Sequence, residues 1–218
     1  GLGKGENFVA SDVSAFLSYT KRVLFLEDDE YAVVTREEVR IYSLRNGKAV
    51  RRKPVTIRWN IRQAQKGGYL HFMLKEIHEQ PRILEEILTK RIEGKDHIYF
   101  DTLDRAADQL LKKMKRIFFV SCGTAYHAGL VGSYLIEEFV RLPAEAQVSS
   151  EFRYRDPVLS SEDAVILITQ SGETADTLAA LREAKAKGAF TLAIVNVVGS
   201  TIAREADAVI YTHAGPEI

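Results

Sequence analysis

The spacing of apolar residues changes twice along the chain. In residues 1–58 the apolar positions gather in short runs. Arg22-Val23-Leu24-Phe25-Leu26, Tyr31-Ala32-Val33-Val34-Thr35 and Val39-Arg40-Ile41-Tyr42-Ser43 are rich in β-branched and aromatic residues, and the last alternates. Period two is the pattern of half-buried strands. Asp28-Asp29-Glu30 and Arg45-Asn46-Gly47 separate the runs, and Asn-Gly is a strong hairpin signal. Ser11-Asp12 predicts the N-cap of a short helix through Leu17. This stretch reads as the antiparallel end of a sheet domain, too small to bury a complete core by itself.

Residues 59–106 have a different texture. Gly67-Gly68 breaks the chain. Phe72, Leu74 and Ile77, then Ile83, Leu84, Ile87 and Leu88, follow at helical spacing with Lys and Glu between them. Pro81 predicts the start of a second helix, because proline fits a first turn. No heptad persists over three repeats, which favours a connector packed on its neighbours over a coiled coil.

From residue 107 onward strands and helices alternate. An amphipathic helix is predicted over 106–114, then strands at 116–120, 146–148, 164–168, 191–195 and 208–211. Helices are predicted over 125–140, 174–186 and 201–205. The strand segments are apolar without alternation, as in a parallel sheet covered on both faces. Ligands of such sheets lie beyond the carboxyl ends of the strands.

Composition narrows the function classes. Thirty basic residues meet thirty acidic ones, so the formal net charge is zero, which argues against a nucleic-acid binder. The single cysteine excludes an intrachain disulfide and a cysteine zinc cluster and fits a reducing compartment. No apolar run approaches the roughly 18 residues of a membrane span. The N-terminus lacks a basic-then-apolar signal pattern and does not begin with Met, as in a processed or excised chain.

Two loops fall where a parallel sheet places its ligand. Ser121-Cys122-Gly123-Thr124 follows the strand at 116–120, and Thr169-Gln170-Ser171-Gly172-Glu173-Thr174 follows the strand at 164–168. Each combines hydroxyls, a glycine and a helix N-terminus, whose exposed amides favour an anion. This is a phosphate cradle without a lysine. Neither loop matches the P-loop or the dinucleotide fingerprint. The competing reading is that the hydroxyls are only N-caps. Two such loops in one sheet weigh against it.

These residues carry a resemblance. Ser121-Cys122-Gly123-Thr124-Ala125-Tyr126-His127-Ala128-Gly129 and Thr169-Gln170-Ser171-Gly172-Glu173-Thr174-Ala175-Asp176-Thr177-Leu178 resemble the first sugar isomerase (SIS) domain of the glutamine–fructose-6-phosphate aminotransferase family. Gly5-Glu6-Asn7-Phe8-Val9-Ala10-Ser11-Asp12 is similar to the late part of that family's glutaminase domain, and Met73-Leu74-Lys75-Glu76-Ile77-His78-Glu79-Gln80-Pro81 to its interdomain segment. Ser150-Glu151-Phe152-Arg153-Tyr154 and Ala214-Gly215-Pro216-Glu217-Ile218 fit as well.

The resemblance implies an α/β fold with three parts. Residues 1–58 would be the C-terminal part of a glutamine amidotransferase domain, 59–106 a helical linker, and 107–218 an incomplete first SIS domain with a parallel sheet. It implies an enzyme that makes glucosamine 6-phosphate from fructose 6-phosphate with glutamine-derived ammonia. Thr169, Gln170, Ser171 and Thr174 match the loop that holds the sugar phosphate, and Cys122, Gly123 and Thr124 the loop that lines the sugar. Thr169 stands where the family usually has Ser, which keeps the hydroxyl. Ala125 stands where it often has Ser, which removes one donor. No cofactor or metal is implied. The implied partners are a phosphosugar and, in the parent enzyme, a second copy, with no nucleic acid or membrane, in the cytoplasm.

The family's catalytic groups do not fall on this chain. Its glutaminase nucleophile is an N-terminal cysteine, and residue 1 is Gly. Its sugar chemistry uses a lysine, a glutamate and a histidine of the second SIS domain and the C-terminal tail. The chain therefore reads as an internal piece of a longer enzyme, inactive alone. A phosphosugar-sensing module would require a helix-turn-helix, which the β-rich N-terminal third does not provide. A non-catalytic dimerisation scaffold is the remaining alternative.

Other candidates have plainer readings. Cys122 is expected to line the site, and His127 to lie on a helix surface. His78 and His213 show no metal-ligand spacing. Arg51-Arg52-Lys53 reads as a solvated hairpin edge balanced by Asp28-Asp29-Glu30.

Overall fold

The computed structural model of the chain describes residues 1–10, 13–57, 66–94, 97–100, 102–103, 111–215 and 217. Two compact units divide it, Gly1–Pro81 with Gly215–Ile218, and Arg82–Ala214. Among the described residues no helix is long and apolar enough to cross a membrane.

The first unit holds a 3-10 turn, Val13–Phe16, and strands β1 (Arg22–Val23), β2 (Glu30–Val34), β3 (Val39–Ser43), β4 (Ala49–Val50) and β5 (Val55–Thr56). The expected cap at Ser11-Asp12 lies outside the described residues. β2, β3 and β4 form an antiparallel sheet, and β1 pairs with β5. Asn46 and Gly47 turn the chain between β3 and β4. Gly47 has φ +65°, and the Asn46 side chain accepts the Lys48 N–H at 3.0 Å. Of the apolar run at 22–26, Arg22 and Val23 pair as a strand. Val13, Phe16, Leu17, Val23 and Ile57 close a small core. Arg52 of the basic cluster bridges Glu27 and Glu30.

Helix α1 runs unbroken from Phe72 to Arg91 with Pro81 inside it. This corrects the expectation of a second helix starting at Pro81. Proline removes one N–H and one backbone hydrogen bond from a helix interior. The Glu, Lys and Leu residues around it are strong helix formers and carry the helix through. A small hairpin, β6 (Ile92–Glu93) and β7 (His97–Ile98), follows and was not anticipated. The helix expected over 106–114 lies outside the described residues as far as 110.

The remainder of the second unit is a five-stranded parallel sheet. Its strands are β8 (Arg116–Ser121), β9 (Ala144–Val148), β10 (Asp163–Thr169), β11 (Phe190–Val195) and β12 (Ala208–Tyr211), ordered β12-β11-β10-β8-β9. All four pairings are parallel. The connecting helices are α2 (Gly123–Leu135), which continues as a π-helical turn over Ile136–Val140, then α3 (Ser149–Tyr154), α4 (Ala175–Ala186) and α5 (Thr201–Glu205).

Side chains of each strand alternate between two cores, which explains the unbroken apolar runs. Phe118, Val120, Val165, Leu167 and Ala193 pack with Phe152 of α3, Ala180, Leu181 and Ala184 of α4, and Ile202 of α5. Ile117, Phe119, Ala164, Ile166 and Leu192 pack on the other side with Met114, Ile136 and Leu142. On that side α2 lies close to β8. A Cβ on Gly129 would stand 3.0 Å from Phe119 Cβ.

Candidate functional site

The chain passes from β8 outward to β9, then returns to the other side of β8 to form β10, β11 and β12. The strand order therefore reverses between β8 and β10, and a crevice opens there beyond the carboxyl ends. Ser121 is in register with Ile168, so the loops after β8 and β10 leave the sheet side by side. Neighbouring strands are about 4.8 Å apart, close enough for one phosphate group to meet both loops.

The first loop brings Cys122, Gly123 and Thr124 to this rim. Cys122 is extended, with φ −121° and ψ 158°, and caps α2 without any side-chain hydrogen bond. Gly123 turns the chain at φ +58°, and Gly123 and Thr124 are exposed. The Cys122 thiol is half-buried, 4.0 Å from the Thr177 hydroxyl. His127 is exposed on α2 and meets Tyr126 edge-on. Ala125 follows in the first turn of α2 and contributes no hydroxyl.

The second loop is a compact, internally bonded turn. Thr169 is buried at the end of β10. Its hydroxyl accepts the Gly172 N–H at 3.2 Å and lies 3.3 Å from the Thr174 hydroxyl. The Ser171 hydroxyl oxygen accepts the Glu173 N–H at 3.2 Å, leaving its own hydrogen to donate. Thr174 precedes α4 and makes no side-chain cap. The N-cap reading of the hydroxyls thus fails for both loops. The first turns of α2 and α4 therefore carry no side-chain cap from Cys122 or Thr174.

Gly172 has φ +69°, and a Cβ there would fall 2.0 Å from Ser200 Oγ and 2.4 Å from Ser200 Cβ. The loop can approach its neighbour only because this position is glycine.

That neighbour is a third loop, residues 196–200, which the sequence reading did not single out. Asn196 and Val197 donate their N–H groups to the Gln170 carbonyl at 3.1 and 3.2 Å. The Asn196 side chain accepts from the Thr212 hydroxyl at 3.0 Å and the Ala214 N–H at 2.8 Å. The signal was present, since Gly199-Ser200-Thr201 repeats the pattern of strand, small residues and helix start. Behind the first two loops, the buried hydroxyls of Ser149 and Thr177 share a hydrogen bond of 3.0 Å. This pair ties the start of α3 to α4. Arg153 of α3 also donates to Asp176 of α4 at 2.7 Å.

A recess of about 500 Å³ beside α4 is lined by Arg153, Ala175, Leu178, Ala179, Arg182 and Glu183. Both arginines are occupied by carboxylates, those of Asp176 and Glu205. The hydroxyl loops do not line it.

A family model described as the SIS domain matches residues 110–218. The chain belongs to the SIS domain family. Relatives of the whole chain carry one name. It is 51% identical over 219 residues to a glutamine–fructose-6-phosphate aminotransferase (isomerizing) of Clostridium tetani, covering 100% of this chain and 36% of that protein. It is 50% identical to the enzyme of that name from Thermus thermophilus, covering 100% of this chain and 35% of that one. The chain thus spans about a third of the length of the curated relatives it matches.

Among solved structures, the C-terminal domain of glucosamine-fructose-6-phosphate aminotransferase from Francisella tularensis superimposes with a TM-score of 0.66. It is 41% identical and covers 71% of this chain and 43% of that one. A glucosamine-6-phosphate deaminase from Thermotoga maritima shares the fold at a TM-score of 0.52 and 23% identity, over 66% of this chain and 40% of that one. The parallel α/β sheet expected from the sequence is the architecture of this SIS domain.

Proposed function

We propose that the protein belongs to an enzyme that makes glucosamine 6-phosphate from fructose 6-phosphate with glutamine-derived ammonia. In this reading residues 1–58 are the end of a glutamine amidotransferase domain, 59–106 a linker and 107–218 the first SIS domain. Ser171, Thr169, Thr174 and Gln170 hold the sugar phosphate, and Cys122, Gly123 and Thr124 face the sugar. The enzyme works in the cytoplasm as a homodimer.

One observation carries the reading. Two adjacent strands end in hydroxyl loops whose helices lack side-chain caps, at the point where strand order reverses. Amides at such helix starts point at an anion, and hydroxyls add donors without a lysine. About half of the residues are shared with relatives named for fructose 6-phosphate.

The geometry supports a division of roles. Thr169 shapes the turn, because its hydroxyl is engaged both by the Gly172 N–H and by the Thr174 hydroxyl. Ser171 is the free donor. Losing one hydrogen bond to a charged phosphate costs about 1.5–3 kcal/mol, or roughly ten- to a hundredfold in affinity. Ser171→Ala in the full-length enzyme should raise the KM for fructose 6-phosphate by that factor and leave sugar-free glutamine hydrolysis unchanged. The 218-residue chain by itself should catalyse neither half-reaction. Turnover by that chain, or an unaltered KM, would sink the reading.

A further inference from the structure

Glu173 sets a physical problem. It puts a carboxylate inside a loop read as anion-binding, where an unengaged negative charge would repel a phosphate. The structure shows where that charge goes. Glu173 Oε1 accepts the backbone N–H of Thr201 at 2.7 Å, and Thr201 is the first residue of α5. A helix N-terminus favours a carboxylate.

The same two loops are joined by three further hydrogen bonds. The Gln170 carbonyl accepts from Asn196 and Val197 at 3.1 and 3.2 Å, and the Gly172 carbonyl accepts from Ile202 at 3.0 Å. All three are backbone to backbone. Glu173 supplies a side-chain tie beside them. Ser200, the residue preceding α5, makes no side-chain cap of its own. A residue of the neighbouring loop thus does the capping.

The geometry points to Glu173 as a positioning residue for the phosphosugar loop: its carboxylate caps α5, holding residues 170–174 in place and drawing negative charge away from the bound anion. This deepens the reading of residues 169–174 as the phosphate loop and rests on it. What matters is the acceptor oxygen facing Thr201 and the direction in which it pulls. Glu173 touches no reacting atom, so it should act on sugar affinity and leave the chemical step alone.

The test uses the full-length enzyme, with fructose 6-phosphate affinity read by isothermal titration and kcat at saturating sugar. Glu173→Gln keeps an acceptor oxygen and should bind within about threefold of the parent. Glu173→Ala should bind about tenfold more weakly, the loss of one charge-assisted hydrogen bond, with kcat unchanged. Thr201→Pro removes the N–H that Glu173 accepts, at a first-turn position that tolerates proline. It should show a loss at least as large, because the carboxylate is left unengaged beside the anion, and adding Glu173→Ala to it should return the affinity to that of Glu173→Ala alone. Thr201→Ala keeps the N–H and should match the parent.

Parent affinity in Glu173→Ala, equal losses in the Gln and Ala variants, or additive losses in the double variant would each overturn the proposal. If Glu173→Ala does not fold, parent affinity in Thr201→Pro overturns it alone. Failure of the phosphate-loop reading appears separately, as a Ser171→Ala enzyme of unaltered affinity. Failure of the Glu173 proposal appears as a weakened Ser171→Ala beside unweakened Glu173→Ala and Thr201→Pro.

Discussion

Gly172 is held by two constraints at once. Its φ of +69° is a conformation that L side chains adopt at a cost, and a Cβ would penetrate Ser200 at 2.0 Å. The clash involves Ser200 Cβ as well as its hydroxyl, so rotating one side chain does not relieve it. Gly172→Ala should therefore lose about 2–4 kcal/mol of stability by overpacking and backbone strain together, read from urea denaturation. Ser200→Gly in the same chain should recover most of the steric part, leaving the 2.9 Å approach to Val195 Cγ2 and about 1–2 kcal/mol from the left-handed backbone. Parental stability in the single variant would show that the loop moves aside freely. The sequence marked Gly172 as a glycine of a binding loop. Its partner Ser200, far along the chain, was invisible without the fold.

At the scale of elements, the far end of β10 is fixed by charge. The Asp163 carboxylate accepts from Arg116 Nε at 2.9 Å, Arg116 Nη2 at 3.2 Å, Ser160 N–H at 2.7 Å and the Ser160 hydroxyl at 3.0 Å. Burial works against its ionisation, but the bonds from Arg116 and Ser160 outweigh it and lower its pKa below the usual carboxylate value. Asp207, which accepts from Lys185 and Thr191, is lowered in the same way against its burial. A carboxyl with a depressed folded value is protonated first in the unfolded chain. Its contribution is complete above the unfolded value of about 3.9 and disappears as pH falls through the folded value.

Asp163→Asn should accordingly flatten the loss of stability below about pH 4. It should also cost about 1–3 kcal/mol at pH 7 by unpairing Arg116. An acid limb identical to the parent's would exclude Asp163 from that role. Elements differed in how far the sequence announced them. β10 and β11 were legible because both faces are apolar. Helix α3 was not, because its six residues follow β9 with no loop between them and are too few to show a helical period. The helix through Pro81 was misjudged because one residue's propensity was weighed above its neighbours'.

The described residues leave apolar surface exposed and one sheet edge that no further strand pairs. β12 is an outer strand of its sheet. Val131, Tyr134, Phe139 and Val140, on α2 and its π-helical extension, are all more than half exposed. Unpaired strand edges and clustered apolar side chains both promote association. The 218-residue chain should self-associate at high concentration, and a monodisperse monomer in light scattering would contradict this. The two hydroxyl loops were legible at this scale because they repeat one motif on one sheet. The third loop carries the same pattern in Gly199-Ser200-Thr201, but its ties to the second loop run through backbone N–H groups of Asn196 and Val197, which only the fold reveals.

In the proposed cradle at the ends of β8 and β10 an anion meets hydroxyls and peptide dipoles in place of a cationic side chain. Those donors keep the same charge across the physiological range, so the ligand itself becomes the titrating partner. A phosphate monoester takes its second charge near pH ~6, and fixed dipoles hold a dianion more tightly than a monoanion. Sugar-phosphate affinity should therefore climb through that interval although the hydroxyl and amide donors carry no titrating charge. A sulfate ester of the same sugar, singly charged throughout, should give a flat profile; a matching climb would locate the titrating group in the protein instead.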